Sequence, residues 1–128
     1  MNLKTIFKRL VLFDFLISIL IITSIAFQST EVADFNKYFE NDYSNSLLVV
    51  VGILYLVYIV NLFFLYKFKR IGKQIYLILW IILIILSLLS PPFATDSWHY
   101  VIDGLGWSTA GAILVFLYFT PIKKEFDK

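Results

Sequence analysis

Cysteine is absent from the chain, which excludes disulfides, thiol catalysis and thiolate metal sites. No Gly-rich phosphate loop, no HExxH and no GxSxG occurs, so the common nucleotide, zinc-peptidase and serine-hydrolase signatures are missing. Histidine occurs once, at His99. No soluble basic domain exists for nucleic acid to bind. No nucleophile–base–orienter set and no cofactor motif stands out, so the expectation is a protein that is not an enzyme and carries no cofactor.

What is abundant is apolar surface. Of the 128 residues, 60% are hydrophobic, and the mean hydropathy is +0.84. Soluble domains are usually about 45–50% apolar, and a short chain cannot hide the excess. The apolar residues are gathered in four runs, at about 10–27, 47–66, 75–90 and 101–120. Each approaches the ~20 residues that a helix needs to cross ~30 Å of hydrocarbon. Strands of this length would leave backbone groups unpaired in lipid, and four of them cannot close a barrel. The expected fold is therefore all-α, a single polytopic membrane domain over 1–128 built as a bundle of four transmembrane helices. Outer loops fall at 28–46 and 91–100, an inner loop at 67–74 and a tail at 121–128. Ser90, Pro91 and Pro92 end the third run.

Charge sets the orientation. Lys4, Lys8 and Arg9 precede the first run, Lys67, Lys69, Arg70 and Lys73 lie between the second and third, and Lys123, Lys124 and Lys128 follow the fourth. Ten of the eleven basic residues thus share one side, and only Lys37 lies on the other. Positive charge stays inside, so both termini are expected in the cytoplasm of a bacterial cell. The outer side collects Glu31, Asp34, Glu40, Asp42, Asp96 and Asp103. A cleaved signal peptide ending at Ser24-Ile25-Ala26 is a rival reading of residues 1–27. Its apolar run exceeds the ~7–15 residues of a signal peptide and contains an acid.

Three features carry chemical interest. The first is Asp14, inside "RLVLFDFLISILII". Five residues past Arg9, it lies roughly 7–8 Å deeper along a helix; Asn61, six before Lys67, lies roughly 9 Å deep. The two should meet, with Ser18, Tyr58 and Tyr118 as further members of an intramembrane polar cluster. Such interhelical bonds are worth about 0.6 kcal/mol, up to ~2. Asp14 is read either as packing glue or as a proton-titrating site of a small homo-oligomeric transporter. The second is "TDSWHYVIDGLGW", where Asp96, His99 and Asp103 fall at i, i+3 and i+7. Histidine with two carboxylates is a weak metal candidate. The plainer reading is that Thr95 or Asp96 caps a helix and Trp98, Tyr100 and Trp107 mark the interface. The third is the small-residue set Gly104, Ser108 and Ala112, with Gly111 beside it. It suits close helix packing inside the chain, or alternatively a homodimer. In the first outer loop, Phe35, Tyr38 and Phe39 at i, i+3, i+4 predict a short amphipathic helix at the interface.

The stretch "GAILVFLYFTPIKKEF" resembles the ending of small four-span bacterial inner-membrane proteins with no assigned activity. The matching residues are Gly111, Ala112, Ile113, Tyr118, Phe119, Thr120, Pro121, Lys123 and Phe126, and "KFKRIGKQIYLILW" is similar as well. That resemblance implies location and fold only. Size and span number are also similar to the small multidrug resistance transporters, but those carry a glutamate mid-way along the first span, whereas Asp14 is a different acid read as lying shallower, so the similarity is one of architecture only. The functional expectation is an accessory or immunity-like membrane protein acting on another membrane protein or on itself within the bilayer. The alternative is a proton-coupled transporter using Asp14.

Overall fold

The structure is a computed structural model that describes residues 2–39, 45–89 and 93–128. The expectations placed on Glu40, Asp42, Ser90, Pro91 and Pro92, and on the side chain of Phe39, lie outside the described residues. Among the described residues, five α-helices follow one another: α1 (Leu3–Ile25), α2 (Thr30–Phe39), α3 (Asn45–Tyr66), α4 (Arg70–Leu89) and α5 (Ser97–Phe119), then a 3-10 turn at Pro121–Glu125. No strand occurs among the described residues. The helices outrun the apolar segments, because backbone hydrogen bonding continues through charged residues that hydropathy excludes. α1 starts at Leu3, where the Asn2 side chain accepts a bond from the Lys4 N–H at 3.1 Å. Such a cap satisfies one of the orphan donors of the first turn.

Helices α3, α4 and α5 are each long and apolar enough to cross a membrane. α1 carries Lys4, Lys8, Arg9 and Asp14, and joins the α2 segment through an 82° bend as a fourth candidate. α2 is helical where the Phe35–Tyr38 spacing predicts it. The apolar surface is turned outward: Leu16, Leu20, Ile53, Ile85 and Leu88 are all exposed. That distribution suits lipid as the solvent.

α1 packs most extensively on α5 and also on α3, and α3 packs on α4. Contacts from Phe7–Phe116 to Ser24–His99 run α1 against α5 in opposite directions. Residues 67–69 join α3 to α4 as an antiparallel hairpin. The turn closes by bonds from the Phe68 N–H to the Leu65 carbonyl and from the Lys69 N–H to the Phe64 carbonyl, both 2.9 Å. This is a Schellman motif, whose left-handed position usually takes glycine. Here Phe68 adopts it, with φ 53°, at a cost of about 1–2 kcal/mol. Its ring offsets that cost by packing on Phe7 (5.6 Å) and on Phe126 (5.3 Å). Phe126 is fully buried and meets Phe7 edge-on at 5.7 Å, so the C-terminal turn plugs this end of the helices. Thr120 caps that turn through the Ile122 N–H. Glu125 ties the turn to α1 through Lys4 at 2.8 Å, and these bonds with Lys4 and then Lys128 hold its carboxyl below the usual glutamate range.

Candidate functional site

Asp14 sits mid-way along α1, eleven residues from either end, so about 16 Å from each. It is 1% exposed. Burying a carboxylate requires donors, and they come from tyrosines on two other helices. The Tyr58 hydroxyl of α3 donates to Oδ2 at 2.5 Å, and the Tyr76 hydroxyl of α4 approaches the same oxygen at 3.4 Å. The two tyrosine rings stack at 5.7 Å between centroids. Ser18 donates to the Asp14 carbonyl at 2.8 Å, one turn back on the same helix. The Tyr55 hydroxyl donates in turn to the Ser18 carbonyl at 2.6 Å. Thus Asp14, Ser18 and Tyr58 come together, while Asn61 and Tyr118 serve elsewhere.

The expected Asp14–Asn61 bond is not what the structure forms. Asn61 donates to the Gly72 carbonyl at 3.1 Å and clamps α3 to α4, and its Oδ1 is buried without a partner. Depth counted from the charged helix ends misplaces the pair by one turn: Tyr58, not Asn61, stands level with Asp14. Tyr118 donates to the Lys73 carbonyl at 3.2 Å.

Beside Asp14 lies a cavity of about 160 Å³ reached by α1, α3, α4 and α5. Its polar walls are Asp14, Ser18 and Asp103; Tyr55, Tyr58, Trp80 and Trp107 supply aromatic surface. Trp80 and Trp107 meet edge-on at 6.4 Å. The Trp80 Nε1 is buried with no hydrogen-bond partner.

Above the cavity, Asp103 pairs with His99, its Oδ2 3.3 Å from Nε2. The other ring nitrogen, Nδ1, contacts the Ser24 hydroxyl of α1. Ser24 gives its one hydrogen to the Ile21 carbonyl at 2.6 Å. Ser24 thus links α1 to His99 of α5. The order Ser–His–Asp is that of a hydrolase triad. Ser24 is only 1% exposed, and its hydroxyl lies 2.6 Å from the Ile21 carbonyl of its own helix.

The metal candidate needs correction. Asp96 occupies the N-cap position of α5, where its backbone carbonyl accepts from the Tyr100 N–H at 3.0 Å but its side chain makes no cap bond. Its carboxylate instead accepts from the Ser29 N–H at 2.9 Å, just ahead of α2, and this bond holds its pKa below the usual aspartate range. Asp96 lines a small pocket with Ser24 and His99, but among the described residues no three His, Asp or Glu side chains could hold a metal ion together. The small-residue stripe is also displaced. A Cβ built on Gly104 or Gly111 meets nothing within 4 Å, and Ser108 is exposed. The close approach to α1 is made by Gly106, against Ile17 and Ile21.

Ser24, Tyr55, Tyr76 and Trp80 escape a reading of the sequence. The spacing of Tyr55 and Tyr58, one turn apart in an apolar helix, is the one signal that points to them.

None of the curated proteins and none of the solved structures matches the chain. A family model described as the cation efflux transmembrane domain matches residues 6–128, which takes in α2 to α5, α1 from its fourth residue and every residue of the cavity. The molecule is a multi-pass membrane protein, and it belongs to the cation efflux transmembrane domain family.

Proposed function

We propose that this protein is a cation transporter of the bacterial cell membrane, spanning it four times with both termini in the cytoplasm. Asp14 is its cation- and proton-binding centre. The observation that carries this reading is the burial of Asp14 against a cavity in a chain of the cation efflux family. An ionised carboxylate at membrane depth is costly unless a positive charge accompanies it. A cargo cation and a proton are alternative companions, so binding of one releases the other. Asp103, on the same cavity, pairs with His99 and lies on the route toward Asp96 at the outer end. This is coupled exchange without a covalent step, and no enzymatic role is part of it.

Family membership favours transport over the accessory or immunity-like role expected from the sequence. The exposed face with Gly104 and Ser108 is available to a second copy, in line with a homo-oligomeric carrier.

The test is Asp14→Asn in proteoliposomes with a cation gradient and an internal pH dye. Asparagine keeps a carbonyl oxygen to accept from Tyr58, so the fold should survive. Cation-driven proton movement should disappear. Retention of wild-type movement in the Asn variant would reduce Asp14 to packing and remove the proposal.

A further inference from the structure

The end of the helices plugged by Phe126 carries more positive charge than its own acids balance. Ten basic residues gather there against two acidic side chains, Glu125 and Asp127. Both acids are already engaged. Glu125 pairs with Lys4 at 2.8 Å and with Lys128 at 2.9 Å, and Asp127 pairs with Lys73 at 3.6 Å. Fully exposed cations need no such partner, because water solvates them. Lys8 is different. It is half-buried on α1, with its ammonium over the ring of Tyr66 at 4.9 Å and over that of Phe68 at 5.7 Å. Among the described residues no carboxylate pairs with it. Ring faces attract a cation without neutralising it, and a charge drawn partly out of water calls for a counter-charge.

The same ring contacts bring Lys8 to the α3–α4 turn, where Lys67, Lys69 and Arg70 are exposed. Among the described residues none of these three pairs with a carboxylate either. The Lys67 ammonium lies 5.7 Å from the centre of the Phe63 ring. Phe63 is exposed, and Val60 and Leu56 continue the exposed apolar strip along α3, because residues three and four apart share a helix face. Cations thus stand directly above apolar surface. A soluble phosphate would meet the cations alone. A phospholipid meets the cations with its headgroup and the strip with its acyl chains. Basic pockets between helices at a membrane surface recognise anionic headgroups in this way.

We propose that the corner where Lys8 of α1 meets the α3–α4 turn binds one anionic phospholipid. Lys8 and Lys67 carry the contact with its phosphate, Lys69 and Arg70 add positive potential, and Phe63, Val60 and Leu56 carry the acyl chains. A lipid held there ties α1 to the α3–α4 hairpin at the membrane surface. None of these residues lines the cavity beside Asp14, so the site does not depend on the transport reading.

The experiment is native mass spectrometry of the whole chain in detergent, titrated with dioleoylphosphatidylglycerol and separately with dioleoylphosphatidylcholine. Each cation near a membrane surface strengthens the binding of an anionic headgroup about fivefold. The first phosphatidylglycerol should therefore bind about tenfold or more tightly than phosphatidylcholine. Lys8→Gln/Lys67→Gln should remove that preference. Lys123→Gln/Lys124→Gln takes the same charge from exposed positions of the C-terminal turn, and should leave binding within about twofold of the native chain. A thermal melt run alongside reports folding. Should the Lys8 change unfold the chain, Lys67→Gln alone, at an exposed position, should still weaken phosphatidylglycerol about fivefold. Equal losses in the two double variants overturn the site, because they reduce it to diffuse charge. Equal binding of the two lipids overturns it as well. Displacement of phosphatidylglycerol by an equal concentration of inorganic phosphate overturns the lipid assignment and gives the cations to a soluble anion.

Discussion

Replacing Gly72 by alanine places one methyl group where α3 and α4 touch. An ideal Cβ on Gly72 would lie 2.9 Å from the Phe64 Cβ and 3.1 Å from the Leu65 nitrogen. Carbon atoms rest at about 3.5–4.0 Å, so the helices must part by roughly 0.6 Å or more. Backbone and Cβ atoms cannot rotate out of the way as a side-chain tip can. The Asn61–Gly72 bond, 3.1 Å in the native chain, would stretch to about 3.7 Å, which is no longer a hydrogen bond. Asn61 is buried and its Oδ1 already lacks a partner, so the whole amide would be stranded. Overpacking costs about 1–3 kcal/mol and an unsatisfied buried donor about 1–3 kcal/mol. The helix preference of alanine over glycine returns about 1 kcal/mol. The net loss is about 1–5 kcal/mol of stability. The effect reaches the cavity too, because α4 carries Tyr76 and Trp80. Unfolding in mixed micelles at increasing dodecyl sulfate fraction, followed by circular dichroism, measures the loss. Gly104→Ala and Gly111→Ala are the controls, since nothing lies within 4 Å of either Cβ. If Gly72→Ala unfolds at the same dodecyl sulfate fraction as these controls, the reasoning from the helix contact is refuted.

Other consequences can be checked with single variants. Tyr58→Phe removes the 2.5 Å donor to Asp14; it should cost about 1–3 kcal/mol in the same unfolding assay and change the pH dependence of cation exchange, which a purely structural tyrosine would not do. Phe126→Ala empties the fully buried position between Phe7 and Phe68; a loss of about 3–5 kcal/mol is expected, and an unchanged thermal melt would show that the C-terminal turn does not plug the helices. Asp96, with its pKa lowered by the Ser29 N–H, contributes stability at pH above its ordinary value of 3.8 and loses it only as pH falls through its lower folded value. Hydrogen exchange at Ser29, corrected for the intrinsic rate, should stay slow down to that point, whereas Asp96→Asn should weaken protection well above it.

The helical, membrane-embedded character of the chain is legible because it depends on summed hydropathy, which neighbours do not alter. The short helix α2 is likewise legible, from the spacing of Phe35 and Tyr38. Asp14, Ser18 and Tyr58 are identifiable because polar groups in apolar runs are few. Their partners are harder to infer. The depth of Asn61 depends on where the α3–α4 turn lies relative to Arg9, and hydropathy does not report relative height. The choice between Gly104 and Gly106 depends on rotation of α5 about its own axis. A small-residue spacing of four exists for either face, and only packing against Ile17 and Ile21 selects one.

From the sequence alone come the helices, the membrane, the apolar runs and the isolation of Asp14, because each follows from local composition and hydrogen-bond requirements of the backbone. Tertiary structure decided that Tyr58 and Tyr76 face Asp14, that Ser24 meets His99 across 75 residues of sequence, and that aromatic residues of three helices line one cavity. Those are relations between helices. They are settled by the height and rotation at which side chains interlock, and no single helix contains that information.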